Sequence, residues 1–493
     1  MSDFTGSQHI TADNKTYLRL FWEVDFTKIG KGRKWTYYAK GGEYRKWYGN
    51  IQIVVDISDQ AMNYYKECST ANCLKEKYWF QEGITYSAIT SSGTGFRYYE
   101  PVGGFDKGGP TICYLKDLKY VLGILNSNMA EVVFQVMNPT INLQVKDIKA
   151  LPILIDHDKQ QVMNSLVSEN IAISKKDWDS YETSYGFTKH PMITGDDIEA
   201  AFEMWRDEAH SRFTRLRDNE EAINALVNEI YDLQNDIPTF VDPAKVTVKE
   251  IDRESAIKSL ISYAVGCMFG RYSLDREGIV CSNCDAHLLE NNRYPADRDN
   301  IIPISDDEYF DDDIVGRFVL FIETVYGKEK LEKNLDYIAK SLHGNGTSRE
   351  VIRQYFLQDF YGDHCATYAV TGMGKRPIYW LFDSGKKNGF KCLIYVHRYQ
   401  PDTIARIRTD YVHEQQSRYR TAITDLEQRI NGASTSERVK LNKKLAVLRA
   451  QAEEIRVYEE KIHHLADQMI KINLDDGILK NYELFKDVLA KIK

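Results

Sequence analysis

Cysteine is sparse, eight in 493 residues, and too scattered for a disulfide scaffold; such usage suits a reducing compartment. No apolar run approaches the roughly 20 residues that cross a bilayer. The opening MSDFTGSQHITADNK has no apolar core of the kind a signal peptide needs. These absences predict a soluble, cytoplasmic protein with no membrane partner. Excess positive charge is missing too. A formal net charge of −8 excludes a uniformly basic protein that coats DNA and confines any nucleic-acid contact to a local patch. With 43% hydrophobic and 28% charged residues the chain reads as globular, and its length calls for more than one core.

Motifs of familiar chemistry are also missing. There is no GxxxxGK[ST] phosphate loop, and Gly344-Asn345-Gly346 and Gly372-Met373-Gly374 are too short to form one. No GxSxG elbow is present. His413-Glu414 lacks the second histidine of a zincin. Cys281 and Cys284, with His287 nearby and Cys267 upstream, make half of a zinc-ligand pattern, and four ligands are needed. Two ordinary thiols are therefore expected, and no metal. Asn138-Pro139-Thr140-Ile141 invites comparison with the Asn-Pro-Pro-aromatic motif that holds a flipped base, but lacks the second proline and the aromatic ring. No catalytic residue and no cofactor site are expected in this chain.

What is present is a basic and aromatic strip, KIGKGRKWTYYAKGGEYRKWYGN, Lys28 to Asn50. Lys31, Arg33, Lys34, Lys40, Arg45 and Lys46 alternate with Trp35, Tyr37, Tyr38, Tyr44, Trp47 and Tyr48, against the single acid Glu43. Cations neutralise phosphates and flat rings pack on sugars and bases. The competing reading is an aromatic core strand whose Lys and Arg heads reach out to water. Further on, Ser91, Ser92, Gly93, Thr94 and Gly95 form a small polar turn that runs into Arg97, Tyr98 and Tyr99. Hydroxyls and an arginine suit base edges, although an ordinary hairpin turn explains the same residues.

Pattern divides the chain into a lead-in, 1–16, disordered or truncated; an α/β module, 17–155; a helical domain, 156–300; a mixed helical domain with a β-hairpin, 301–408; and a helical hairpin, 409–493. Strands are expected in YLRLFWEV, NIQIVVDIS and Thr140 to Ile155, with one helix from Leu115 to Met137. The acidic run Asp306 to Asp313 reads as a solvated face or linker. Near the end, Tyr419, Ile423, Leu426 and Ile430 make one apolar stripe, and Leu441, Leu445, Leu448, Ala452, Ile455, Ile462 and Met469 make another, interrupted by Glu459. Asn431-Gly432 stops the first helix and Ser434 with Glu437 caps the second, which predicts an antiparallel coiled-coil hairpin.

The strip, ITYSAI, FDKGGPTICY, LGILNSN, NPTINLQVKDIKALPILI, SKKDWDSYETSYGFTKHP, KRPIYWLFDSGKKNGFKCLIYVHRY and the closing INLDDGILKNYELFKDVLAKI resemble the target-recognition and C-terminal regions of adenine-specific DNA methyltransferases, closest to those of BREX phage-defence systems. The likeness runs from about Asp13 to the end. It implies an α/β target-recognition domain followed by a mostly α-helical region with a β-hairpin and the C-terminal hairpin. The upstream S-adenosylmethionine domain of such enzymes, with its glycine-rich loop and Asn-Pro-Pro-Tyr motif, has no counterpart in these residues. The resemblance therefore implies a recognition half, inactive alone, whose partners are double-stranded DNA, an N-terminal methyltransferase half that binds S-adenosylmethionine, and other BREX proteins; an acidic chain with a basic patch would also suit capture by a phage DNA-mimicking inhibitor. Lys31, Arg33, Lys34, Lys40, Arg45 and Lys46 are expected on phosphates. Trp35, Trp47, Tyr48 and Tyr98 are the accompanying rings. Ser91, Ser92, Thr94, Arg97 and Gln144 are expected on base edges. A scaffold that docks the methyltransferase half or other defence proteins is the alternative.

Overall fold

Short runs of β-branched and aromatic residues separated by glycine and polar turns make small sheets, and that is how the N-terminal part folds. The computed structural model describes residues 3–4, 8–89, 93–280 and 293–492. The chain divides into two units, Met1–Pro191 with Phe202–Asp252, and Met192–Ala201 with Arg253–Lys493. In the first, the strands are β1 (Asp3–Phe4), β2 (Leu18–Leu20), β3 (Trp35–Ala39), β4 (Ile53–Asp56), β5 (Gly83–Tyr86), β6 (Phe96–Tyr99), β7 (Gly103–Phe105) and β8 (Thr111–Cys113). Among the described residues they form two four-stranded sheets, ordered β2-β4-β3-β7 and β1-β8-β5-β6. Pairing is antiparallel except where β3 runs parallel to β7.

The helices of this unit are α1 (Asn14–Tyr17), α2 (Asp59–Glu67), α3 (Leu118–Leu125), α4 (Asn128–Met137), α5 (Val145–Ala150), α6 (His157–Trp178) and α7 (Ile198–Tyr231), the last from Phe202 onward. Ile84, Tyr86, Phe96 and Ile112 from the second sheet pack with Leu122, Ile124, Phe134, Met163, Val167, Leu216, Ile223 and Val227 in one apolar core. Thus α6 and the Phe202–Tyr231 part of α7, expected in a separate helical domain, share their core with the strands. A smaller cluster containing Ala39, Tyr78, Tyr99 and Phe105 draws on both sheets.

Three local expectations need correction. Thr140 to Ile155 is not a strand. Asp147 accepts the Gln144 amide at 2.9 Å, which starts α5, and Ile148 and Leu151 turn inward until Pro152. The helix from Leu115 to Met137 is two helices. Asn126 leaves the helical path to bond both backbone groups of Phe96, each at 2.9 Å, and Ser127 caps α4. YLRLFWEV holds a strand only to Leu20, then turns 3-10 at Phe21–Glu23, where Glu23 accepts the Leu20 amide at 2.8 Å.

The second unit carries α8 (Arg253–Met268), β9 (Ile302–Pro303), α9 (Ile314–Tyr326), α10 (Leu331–Ser341), α11 (Ser348–Gln358), α12 (Phe360–Thr367), β10 (Ala369–Val370), β11 (Gly374–Lys375), β12 (Tyr379–Asp383), β13 (Lys391–Tyr395), α13 (Thr403–Arg406), α14 (His413–Gly432), α15 (Thr435–Ala466) and α16 (Ile478–Tyr482). The expected hairpin is there: β12 and β13 pair antiparallel from Tyr379↔Tyr395 to Asp383↔Lys391. The stripe of α15 serves two ends. Leu441 and Leu445 meet Leu426 of α14, whereas Ile455, Tyr458, Ile462 and Ala466 join the core of β12 and β13. Glu459, the break in the stripe, pairs with Arg408 at 2.7 Å. The acidic run is not wholly solvated: Asp313 is buried, caps α9 and holds Arg353 through both oxygens, at 2.8 and 3.0 Å.

Candidate nucleic-acid interface

The basic strip splits in two. Its first part, Lys28, Lys31 and Arg33, lies exposed in the loop before β3, with Lys34 half-buried. Lys34 reaches Asp56 at 3.7 Å and lies over Trp35, itself buried. Lys40, after β3, is half-buried and pairs with Asp106 at 2.5 Å. The second part turns inward. Arg45 and Lys46 are only 7% and 5% exposed, so neither head reaches water as the snorkelling reading requires. Arg45 pairs with Asp177 of α6 at 2.7 Å, donates to the Tyr48 carbonyl at 2.8 Å and lies over the Trp178 ring. Lys46 donates to the Asn126 carbonyl at 3.2 Å and to Glu220 of α7 at 3.4 Å. The same carboxylate accepts the indole N–H of buried Trp47 at 2.6 Å. Burial alone would depress the Lys46 pKa, but Glu220 beside it carries it above the ordinary lysine value.

Tyr48 belongs to a third internal contact. Its hydroxyl lies 2.7 Å from Lys175, 2.9 Å from Glu100 and 3.0 Å from the Tyr185 hydroxyl. Burial would raise the Glu100 pKa, yet hydrogen bonds from Tyr185, Lys175 and Tyr48 bring it below the usual glutamate value. Arg45, Lys46, Trp47 and Tyr48 therefore position the strip from inside, which corrects their expected place on phosphates and sugars: charges paired inside a core do not reach a phosphate.

The turn after β5 gives a similar division. Ser91 and Ser92 lie outside the described residues. Thr94 is half-buried and Gln144 exposed. Arg97, expected on a base edge, is instead 1% exposed. It donates to the Arg45 carbonyl at 3.2 Å and to Ser87 at 3.3 Å, while its Nε has no partner. Burial, with Arg45 nearby, pulls its pKa down to about 9. Tyr98 is half-buried and donates to Glu82 at 3.0 Å. The hairpin reading of this segment holds, since β5 and β6 pair from Gly83↔Tyr99 to Tyr86↔Phe96.

Backbone contacts gather the remaining candidates at one end of β3. Ser87 donates to the Gly42 carbonyl at 3.0 Å, and the Leu143 amide to the Ala88 carbonyl at 2.9 Å. Gly41, at φ +82°, lets Gly108 approach so closely that a Cβ would stand 2.6 Å from its carbonyl oxygen. Gln144 and the β5–β6 turn thus lie by the Gly41–Tyr44 loop, and Lys31, Arg33 and Lys34 lie at the other end of the strand. Five residues of strand separate the two ends by about 16 Å, roughly half a turn of B-form duplex.

Sequence reasoning missed Asp177 and Glu220, though the signal was there. On α6 the buried residues Met163, Val167, Asn170, Ser174 and Asp177 follow helical spacing, so a carboxylate occupies a core position. Glu220 does the same between Leu216 and Ile223.

Among the described residues, the Asn138–Asn142 loop and one carboxylate cluster are the other groups with potential for chemistry. Asn138 donates to the Asn142 carbonyl at 2.8 Å and to Asp147 at 2.7 Å, and Ile141, where the aromatic would stand, points to solvent. This loop does not fit the base-holding motif. Cys281, Cys284 and His287 lie outside the described residues. Asp297, Asp299 and Asp312 bring carboxylate oxygens within 4.8 Å of one another. Arg317 lies 3.9 Å from Asp297 and Arg406 3.2 Å from Asp299, and Tyr411 lies within hydrogen-bond distance of Asp299 and Asp312. Burial and Asp299 still push the Asp297 pKa up to about 7. Among the described residues no helix is long and apolar enough to cross a membrane.

Comparison with known proteins points one way. The chain is 35% identical, over 96% of itself, to adenine-specific methyltransferase PglX of Lacticaseibacillus casei (strain Zhang). It is 34% identical, over 97% of itself, to adenine-specific methyltransferase BrxX of Escherichia coli O9:H4 (strain HS). It spans only 41% and 42% of those relatives' lengths. No protein-family model matches it. The resemblance drawn from the sequence blocks is borne out.

Removing one partner of a buried pair leaves an uncompensated charge, at about 3–5 kcal/mol. Glu220→Gln is therefore expected to lower unfolding free energy by an amount of that order in urea titration. Adding Lys46→Met to it should restore part of the loss. Equal stability of Glu220→Gln and the parent would refute the anchoring role.

Proposed function

Since the chain is homologous, along almost its whole length, to part of the PglX-type adenine-specific methyltransferases, we propose that it is the duplex-DNA recognition part of an N6-adenine DNA methyltransferase of a BREX phage-defence system. The observation that carries this reading is the near end-to-end match to two such enzymes by a chain whose sequence has neither a glycine-rich cofactor loop nor Asn-Pro-Pro-Tyr. S-adenosylmethionine and methyl transfer then belong to the part of the enzyme that this chain does not match, and the chain alone does not methylate.

Within this reading, exposed Lys31 and Arg33, with Lys34 behind them, contact phosphates. Thr94 and Gln144, together with Ser91 and Ser92, face base edges. Arg45, Lys46, Trp47 and Arg97 tie the segment after β3 to α6, α7 and Ser87 instead of touching DNA. Lys31→Ala and Arg33→Ala should each weaken binding to all duplexes alike and lower the salt slope of log K by about one. Gln144→Ala should leave the slope unchanged and relax preference at one base pair by about 1–3 kcal/mol. Salt slopes for Lys31→Ala and Arg33→Ala matching the parent would sink the phosphate assignment.

A second reading, compatible with the first, rests on exposed apolar side chains. Val136 is 78% exposed, Ile141 62%, Ile89 65% and Phe240 65%. An Ile89↔Asn142 bridge sets Ile89 beside the loop that follows Val136 at the end of α4, and the Asn128 bond to the Phe240 carbonyl holds Phe240 at the start of that helix. Patches of this kind mark docking faces. The relatives extend well beyond this match, so the occupant we assign is the methyltransferase part. The α14 and α15 pair, as a coiled-coil hairpin, would serve other BREX proteins, and a DNA-mimicking inhibitor would compete for the Lys31–Arg33 loop. Val136→Asp with Ile141→Asp should weaken capture of a separately expressed methyltransferase part at least tenfold without changing melting. Undiminished capture would rule this face out.

A further inference from the structure

Beside the exposed basic loop lies a cavity of about 440 Å³, within the size range of small-ligand sites. Trp79 and Phe80 form one wall, and Ile57 and Met62 provide further apolar lining. The aromatic wall is built in place. The Trp79 indole donates to the Leu74 carbonyl at 3.2 Å. It lies so close to Gly104 that a Cβ there would stand 2.4 Å from the ring. Phe80 sits at φ +58°, a conformation non-glycine residues rarely adopt, with its amide on the Gly103 carbonyl at 2.8 Å. Strained backbone of this kind collects at ligand sites. Both rings are only half-buried, with centres 6.3 Å apart and planes inclined at 40°.

The polar lining selects that guest. Lys31, its Nζ 5.8 Å from the Phe80 ring centre, puts a cation at the cavity, which suits a phosphate, and Lys77 lines it too with its Nζ 4.7 Å from the Tyr78 ring centre. Glu76 and Gln81 are the remaining polar side chains of the lining. A carboxylate accepts from an exocyclic amino group and opposes additional phosphates. Aromatic rings, two lysines and one carboxylate together describe a nucleoside monophosphate.

We propose that this cleft binds a single nucleotide whose base carries an exocyclic amino group, stacked on Trp79 and Phe80 with its phosphate at Lys31 and Lys77. The nucleotide comes either free or as an unpaired residue of bound DNA. The second source rests on the DNA-recognition reading; the first does not.

The test titrates the full chain with dAMP, dCMP, dGMP and dTMP by calorimetry. In parallel it compares a paired duplex with the same duplex carrying one unpaired adenosine. The amino-bearing nucleotides should bind better than dTMP. Phe80→Gly, which suits a positive φ, should weaken their binding about tenfold or more, in line with base stacking on a ring. Lys31→Glu, on an exposed loop, should do the same, and unchanged melting shows that either variant folds. A preference for the unpaired duplex that both variants erase assigns the site to DNA. Mononucleotide binding without that preference assigns it to a free nucleotide, and stands even if no paired duplex binds. No binding of nucleotide in either form, or equal binding by the parent and both variants, overturns the proposal.

Discussion

Two carboxylates inside helices govern the first unit. Glu220 accepts the Trp47 indole and the Lys46 ammonium, and Asp177 accepts the Arg45 guanidinium. A buried cation without a partner is costly, and so is a buried carboxylate. Each helix can therefore seat against the strip only in the register that brings acid to base. Hydrophobic contact between Leu216, Ile223 and the sheet is less selective about register than charge pairing. This places α6, α7 and the segment after β3 in a fixed arrangement, and with them the Gly41–Tyr44 loop and the loop around Ser87 that Arg97 ties to it.

The consequence is a division of labour along one short segment. Arg45, Lys46, Trp47 and Tyr48 are spent on internal order. What faces water is the loop carrying Lys31 and Arg33 at one end of β3, and Gln144 beside the β5–β6 turn at the other. Electrostatic attraction to a phosphate backbone carries no sequence information; edge contacts do. On the proposed reading, the strand between the two ends would fix the spacing of the two kinds of contact, as a recognition surface needs. The overall negative charge limits attraction to DNA elsewhere on the surface.

Much of this was legible in the chain. The β12–β13 hairpin, the break at Asn431-Gly432, the Ser434 cap and the family blocks were all readable as local pattern. Two kinds of feature were not. Basic residues of one strip, such as Arg33 and Arg45, look alike in sequence, and only the partner far along the chain decides which is buried. Asp177 lies on a helix that pattern had assigned to another domain. Helix breaks made by tertiary bonds, as when Asn126 reaches both backbone groups of Phe96, are equally invisible, because LGILNSNMAEVVF keeps its apolar spacing through the break. Asp147 turned an apparently alternating strand into α5 by capping it. In each case a polar side chain found a partner that local propensity does not describe.

The most direct measurement is selection from a randomised duplex library by the intact chain at physiological salt, followed by sequencing of the bound fraction. The account predicts one enriched motif, with binding that falls steeply as salt rises. Bound duplexes of unselected sequence would contradict sequence recognition by this chain, and no retained duplex at all would contradict its role as a DNA-binding part.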